Sequence, residues 1–186
     1  MLSPFVLAQD LIQQDFGPME LDAVRTALPP PGNGRSSLDE CVDALRALAF
    51  VQKRPVEDVL RWAGEAMVAP VVRDVPALVK GHQSGTTWFP LLDGAIRTAL
   101  TACGCDEAPP EFWVDFLDHS SVRIGFDGPE EIAACVEGAV RGVARHFHER
   151  VDISRPTPAA ILTERRLIDV KLSPDRRSAQ TVSRRN

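Results

Sequence analysis

The chain contains no tyrosine; its aromatic residues are eight Phe and three Trp. No site in it can use a phenolic hydroxyl as donor, acid or nucleophile. Cysteine and histidine number only four each, too few for the dense disulfide framework of a small secreted scaffold. Uncharged apolar runs stay under ten residues, against the ~20 needed to cross a bilayer. The apolar stretch within residues 1–15 is interrupted by Asp10 and follows no basic segment. A secretory signal is therefore not expected, and the chain is expected to be cytoplasmic. Lysine is also scarce, three against eighteen Arg, a bias to which no function is assigned.

What is present describes a globular chain. Its 186 residues, 44% hydrophobic and 25% charged, suit one domain, taken as residues 1–172, with a tail at 173–186. The tail holds four Arg against one Asp and few apolar residues, so it is expected to be a disordered basic terminus. The net charge is −5, and the body ahead of the tail is more acidic still. That balance argues against nucleic acid as a partner, which requires a basic face. No membrane partner is expected either. Cys41 and Cys135 fall on the apolar faces of predicted helices, where free cysteine behaves as a small hydrophobe. Cys103-Gly104-Cys105 has no second pair nearby, so no metal site is assigned to it.

Helical periodicity dominates the first half. Phe5, Ala8, Leu11 and Ile12 predict a helix over 4–15 that stops at Gly17. Pro18 opens a second helix to Leu28, and the Pro29-Pro30-Pro31-Gly32-Asn33-Gly34 run breaks it. Ser37-Leu38-Asp39-Glu40 has the form of a capping box, leading a helix with Leu38, Val42, Leu45, Leu48 and Ala49 inward. Pro55 fits the first turn of the next helix, which carries Val56, Val59, Leu60, Ala63 and Met67. A weaker helix is expected over 71–80. After the Gly81–Gly85 loop, Thr86 or Thr87 is expected to cap a helix running to about Ala102.

Beyond Pro109-Pro110 the period changes to two. Phe112, Val114 and Phe116, then Val122, Ile124 and Phe126, alternate with polar residues around a turn at His119-Ser120. Gly128-Pro129 opens a long helix with Ile132, Val136, Ala139, Val140, Val143 and Phe147 on one stripe. Val151–Ile153 and Leu167–Leu172 read as further strands. The expected architecture is α+β: an N-terminal helical bundle followed by a small antiparallel sheet with an inserted long helix.

Chemistry-bearing motifs are scarce. The chain has no phosphate-binding loop, dinucleotide fingerprint, nucleophile elbow or zinc-protease motif, and no enzyme activity is expected. His82 and His119 fall in loops. His146 and His148 close the long helix, where basic groups complement its dipole. Glu130-Glu131 sits in that helix's first turn, where carboxylates do the same at the other end.

Three stretches carry a family resemblance: the first helix ending in Gln14-Asp15-Phe16-Gly17; Arg54-Pro55-Val56-Glu57-Asp58-Val59-Leu60-Arg61-Trp62-Ala63-Gly64; and Val136-Glu137-Gly138-Ala139-Val140-Arg141-Gly142-Val143-Ala144-Arg145-His146-Phe147. In this order the chain resembles the heme nitric oxide/oxygen-binding (H-NOX) domains, from about residue 5 to 172. The resemblance implies the H-NOX-like fold and a sensory or regulatory role through a signalling protein such as a histidine kinase or a cyclic-di-GMP enzyme. It implies heme as the family cofactor. The family's proximal histidine lies thirteen residues ahead of a proline that packs on the heme. Counting back from Pro110 reaches Arg97, and a guanidinium has no lone pair for iron. On the helical wheel Arg97 also lies well off the stripe of Leu92, Ile96, Ala99 and Cys103.

The family's Tyr-x-Ser-x-Arg motif, which holds the heme propionates, stands eleven residues before a Glu-Gly pair. Here that window is Phe126-Asp127-Gly128-Pro129-Glu130. It lacks both hydroxyls and places an anion, Glu130, where two carboxylates need a cation. His119-Ser120-Ser121-Val122-Arg123 imitates the spelling seven residues too early. The absent tyrosine excludes the Tyr-led motif in any register. The expectation is a degenerate member, heme-free or with altered ligand binding. Pro110, Phe126 and Phe5 keep the pocket positions that the resemblance implies. The pocket is expected to be collapsed around Phe112, Phe116 and Trp88 or to hold another apolar ligand. The alternative is a heme-based sensor of NO or O2 with a non-standard axial ligand, His82, His119 or His146.

Overall fold

The computed structural model describes residues 4–28, 37–94, 97, 111–127, 130–156 and 165–174. Four helices come first: α1 (Pro4–Phe16), α2 (Pro18–Ala27), α3 (Ser37–Gln52) and α4 (Val56–Asp74). A short helix α5 (Gly85–Trp88) leads into strands β1 (Phe112–Phe116) and β2 (Ser121–Asp127). The long helix α6 (Glu130–His146) separates β2 from β3 (Glu149–Ser154), and β4 (Arg165–Pro174) ends the described chain. The four strands form one antiparallel sheet in the order β1-β2-β4-β3. The α+β layout expected from the two periodicities is the one observed. No helix among the described residues is long and apolar enough to cross a membrane.

The first break follows local chemistry. Gly17, at φ 101°, takes a conformation that side chains resist, and Pro18 then starts α2 without needing its missing N–H. Ala8 and Ile12 of α1, Leu21 and Val24 of α2, and Cys41, Ala44, Leu45 and Leu48 of α3 close on Val59, Leu60 and Ala63 of α4 as one apolar cluster. The side chains of Ser37 and Leu38 lie outside the described residues, and so does the capping box expected there.

Two helical expectations need correction. In place of a helix carrying Val56 to Met67 and a separate, weaker one over 71–80, α4 runs unbroken to Asp74 with Pro70 inside it, and a 3-10 turn follows at Pro76–Leu78. Proline removes one helical hydrogen bond. Packing of this end of α4 on α6 outweighs the loss, with Val68 meeting α6 beside Gly142. The helix expected from Thr86 to Ala102 is likewise interrupted. Ser84, rather than either threonine, caps α5, accepting from the Thr87 N–H at 3.3 Å. Pro90 then lies in a 3-10 turn, Phe89–Leu91, before helical geometry resumes at residue 92.

The period-two reading of the hairpin holds on β2, where Val122, Ile124 and Phe126 are all essentially excluded from solvent. They join Ile168, Val170 and Leu172 of β4, Trp88, Phe89 and Leu92, and the inner stripe of α6 (Ala133, Val136, Val140, Val143, Ala144) in a second cluster. Helix α6 serves both cores, because Ala134 belongs to the helical cluster. Its other face meets α4 almost backbone to backbone at Gly64, Gly138 and Gly142. His148 is not the last residue of α6 but follows it in the left-handed conformation (φ 56°) that turns the chain into β3. Strand β4 takes in Ser173 and Pro174, paired with Arg150 and Glu149; residues 175–186 of the expected tail lie outside the described residues.

Candidate functional site

The region to which the two heme motifs point lies around the start of the sheet. Phe126 is fully buried, and its ring packs on Phe112 with centroids 5.5 Å apart. Trp88 and Phe89 complete this aromatic group at 6.0 Å from one another, and the Trp88 indole N–H donates to the Leu78 carbonyl at 2.6 Å. An aromatic with its polar tip satisfied in this way is a stable core element. Phe116, expected in the same group, is 61% exposed. It shares the core-facing parity of Phe112 and Val114, but it is the last residue of β1, which is an edge strand of the sheet. Phe5 packs against the helical cluster instead. Phe5 and Phe126 thus line different cores. Pro110 lies outside the described residues, as do Cys103 and Cys105 and the side chain of Glu130.

Arg97 points away from this core and is held by Asp93, one helical turn earlier, through Nε at 2.8 Å and an Nη at 3.2 Å. Asp93 also accepts the Phe112 backbone N–H at 3.4 Å, tying the helical segment to the first residue of β1. The hydrogen bond from Arg97 holds the Asp93 carboxyl below its usual range, against a smaller opposing effect of burial. Sequence reasoning placed Arg97 correctly toward solvent but missed Asp93, although the i, i+4 spacing of acid and base is a readable signal.

The histidines divide by exposure. His119 and His146 are exposed, the latter edge-on to Phe147 at 5.0 Å, whereas His82 is half-buried and its backbone N–H donates to the Val79 carbonyl at 3.2 Å. The described residues contain no group of three metal-ligating side chains. Cys41 is buried, and burial pushes the Cys135 pKa up to about 11.

Two carboxylates near the sheet differ in state. Burial would raise the pKa of Glu137, but hydrogen bonds from Arg155 (2.6 Å) and Arg61 (3.1 Å) outweigh it and hold the carboxyl below its usual range. Glu149, which accepts the Gly85 N–H at 2.9 Å, has no cation in its balance, and burial raises its pKa. Its folded-state pKa therefore lies above the unfolded one, and stability falls as pH rises from the unfolded value through the folded value. Glu149→Gln keeps an oxygen for Gly85 and removes the buried charge. A rise of about 1–3 °C in Tm is expected at pH 7, shrinking to nothing near pH 4, read by calorimetry at both pH values.

The residues at the two heme-motif positions do not fit a heme held as the resemblance implies. Arg97 offers iron no lone pair, and Phe126 offers a propionate no hydroxyl.

No protein-family model matches the chain, and no curated protein matches it. Solved structures do. The H-NOX protein from S. oneidensis, in its Fe(II)NO ligation state, superposes with a TM-score of 0.75 at 15% identity, covering 93% of this chain and 99% of that one. The Fe(II) unliganded H-NOX protein from K. algicida gives 0.73 at 16% identity, covering 93% and 96%. The F78L variant of Tt H-NOX gives 0.71 at 12% identity, covering 94% and 97%. With the helical bundle, the sheet order and the inserted helix all shared over nearly the whole of both chains, this chain has the H-NOX fold.

Proposed function

We propose that the chain is a sensory or regulatory domain of the H-NOX type, without enzymatic activity of its own, that signals through a partner protein and has lost or altered the family's heme site. Arg97 carries this reading: it occupies the proximal position by count, it has no lone pair for iron, and Asp93 holds it bidentate toward solvent. Phe126 supports it, since its ring is packed on Phe112 and brings no hydroxyl. The partner class, a histidine kinase or a cyclic-di-GMP enzyme in the cytoplasm, comes from the family resemblance.

A second reading is favoured by the solved proteins with this fold, which include Fe(II), Fe(II)NO and Fe(II)CO forms. It makes the chain a heme-based sensor of NO or O2 with an unusual axial ligand. His82, half-buried next to the Leu78–Trp88 contact, suits that role better than the exposed His119 and His146.

Hemin titration separates the two. The first reading expects no stoichiometric Soret band in the reduced protein and no shift on adding NO. A saturable five-coordinate ferrous spectrum that responds to NO, and is lost in His82→Ala, establishes the second. Arg97→His, which replaces the guanidinium by an imidazole, is expected to gain at least tenfold in hemin affinity only where space remains beside Phe112 and Phe126.

A further inference from the structure

The turn from α3 to α4 has a chemistry unlike the rest of the surface. Helix α3 ends with the Arg54 N–H donating to the Ala49 carbonyl at 3.0 Å and the Lys53 N–H to the Phe50 carbonyl at 3.2 Å. Lys53 takes the left-handed conformation, φ 50°, which this helix-ending motif normally assigns to glycine. The turn leaves the Phe50 ring 80% exposed. Beside it is a shallow cavity of about 560 Å³ floored by Ala49, Val51 and Val56 and rimmed by Arg46, Lys53 and Arg54. Asp43 lies 3.7 Å from Arg46; among the described residues, no carboxylate partners the side chain of Lys53 or Arg54. Three cations around one aromatic reverse the sign of a chain whose net charge is −5.

An apolar floor with a cationic rim suits a ligand with an apolar centre and anionic flanks. The depression is open, whereas small-molecule sites enclose most of their ligand. A protruding side chain of a protein segment fits an open dish, with an aromatic anchor at the centre and charge at the rim. We propose that this patch docks an acidic segment of a partner protein that presents one large apolar side chain between carboxylates. Phe50 supplies the apolar contact, Arg54 holds a carboxylate through its planar fork, and Lys53 adds a point charge. The assignment gives a chemical description to the partner of the proposed signalling function and rests on that reading.

The test is a random peptide library displayed on phage and selected against the full chain. Enriched peptides are expected to carry Asp or Glu on both sides of an aromatic, Leu or Met. Labelled copies, followed by fluorescence anisotropy, are expected to lose at least tenfold in affinity to the Phe50→Ser and Lys53→Gly proteins, and to weaken with added salt. Both variants preserve the fold: Phe50 is exposed, and glycine suits the conformation of Lys53. Peptides that bind all three proteins equally would overturn the patch and leave a partner docked elsewhere. The absence of acidic enrichment would overturn it as well. Self-association abolished by either Phe50→Ser or Met19→Ser would make a second copy the occupant, since Met19 is 81% exposed beside Glu20 and Asp22. That result would also overturn the assignment to a partner protein.

Discussion

Glu137→Ala is expected to lower the unfolding free energy by about 3 kcal/mol at pH 7, measured by urea denaturation. The carboxylate is 6% exposed and lies between two guanidiniums, Arg61 of α4 and Arg155 just after β3. Asp58 holds the other side of Arg61 at 2.9 Å. Removing one partner of a buried ion pair costs ~3–5 kcal/mol, and the lower end applies here because the two arginines keep access to water. Glu137→Gln, which keeps one acceptor oxygen, should lose less. The pH dependence follows from the depressed folded-state pKa of Glu137. Its contribution is complete above the unfolded value and disappears as pH falls through the folded one. Wild type and Glu137→Gln should therefore converge in acid. Parallel pH curves would remove the ion-pair explanation.

Gly138→Ala is expected to cost about 3 kcal/mol or more. A Cβ at this position would lie 1.9 Å from the Arg61 carbonyl oxygen and 2.9 Å from the Glu65 nitrogen, both backbone atoms of α4 that no rotamer change can move. Overpacking a core by one methyl typically costs ~1–3 kcal/mol, and a backbone obstacle places this site at the top of that range. Gly64 faces the Cys135 carbonyl across the same seam, with a clash of 2.0 Å, so Gly64→Ala should be comparably damaging. Thermal unfolding of both variants reads the effect. Gly94→Ala, where a Cβ meets no neighbour, is the matching substitution expected to leave Tm nearly unchanged.

The two predictions concern one interface. Helix α6 lies on the sheet with one face and against α4 with the other, joined there by the Glu137–Arg61 pair, the Arg145–Glu65 pair and three close glycines. Helix α6 thereby joins the helical core to the sheet core.

Much of this fold was legible in the sequence because its signals are local. The stripe of Ala8, Leu11 and Ile12 has the helical period, and Val122, Ile124 and Phe126 have the strand period; each was buried as that period requires. Gly17-Pro18 and the Pro29–Gly34 run punctuate the helices for reasons that need no neighbours. The absence of tyrosine excluded a tyrosine-led propionate site outright. Chain chemistry alone also denied Arg97 any role as an iron ligand.

Other features depended on what each element packs against. Proline chemistry disfavours a helix interior, yet α4 continues through Pro70 to Asp74 while its Val68 packs on α6. Phe116 has the right parity for the core, but it ends an edge strand and stays exposed. Glu137 gave no local sign of its charge partners, since Arg61 is 76 residues away and Arg155 is 18 away. Gly64, Gly138 and Gly142 carry no local signal of the two helix backbones that meet at them. Periodicity and punctuation are properties of neighbouring residues, so the sequence by itself determined the elements and their inward faces. Ion pairs across elements, close helix contacts and the exposure of a strand's end belong to the packing, and only the tertiary structure decided them.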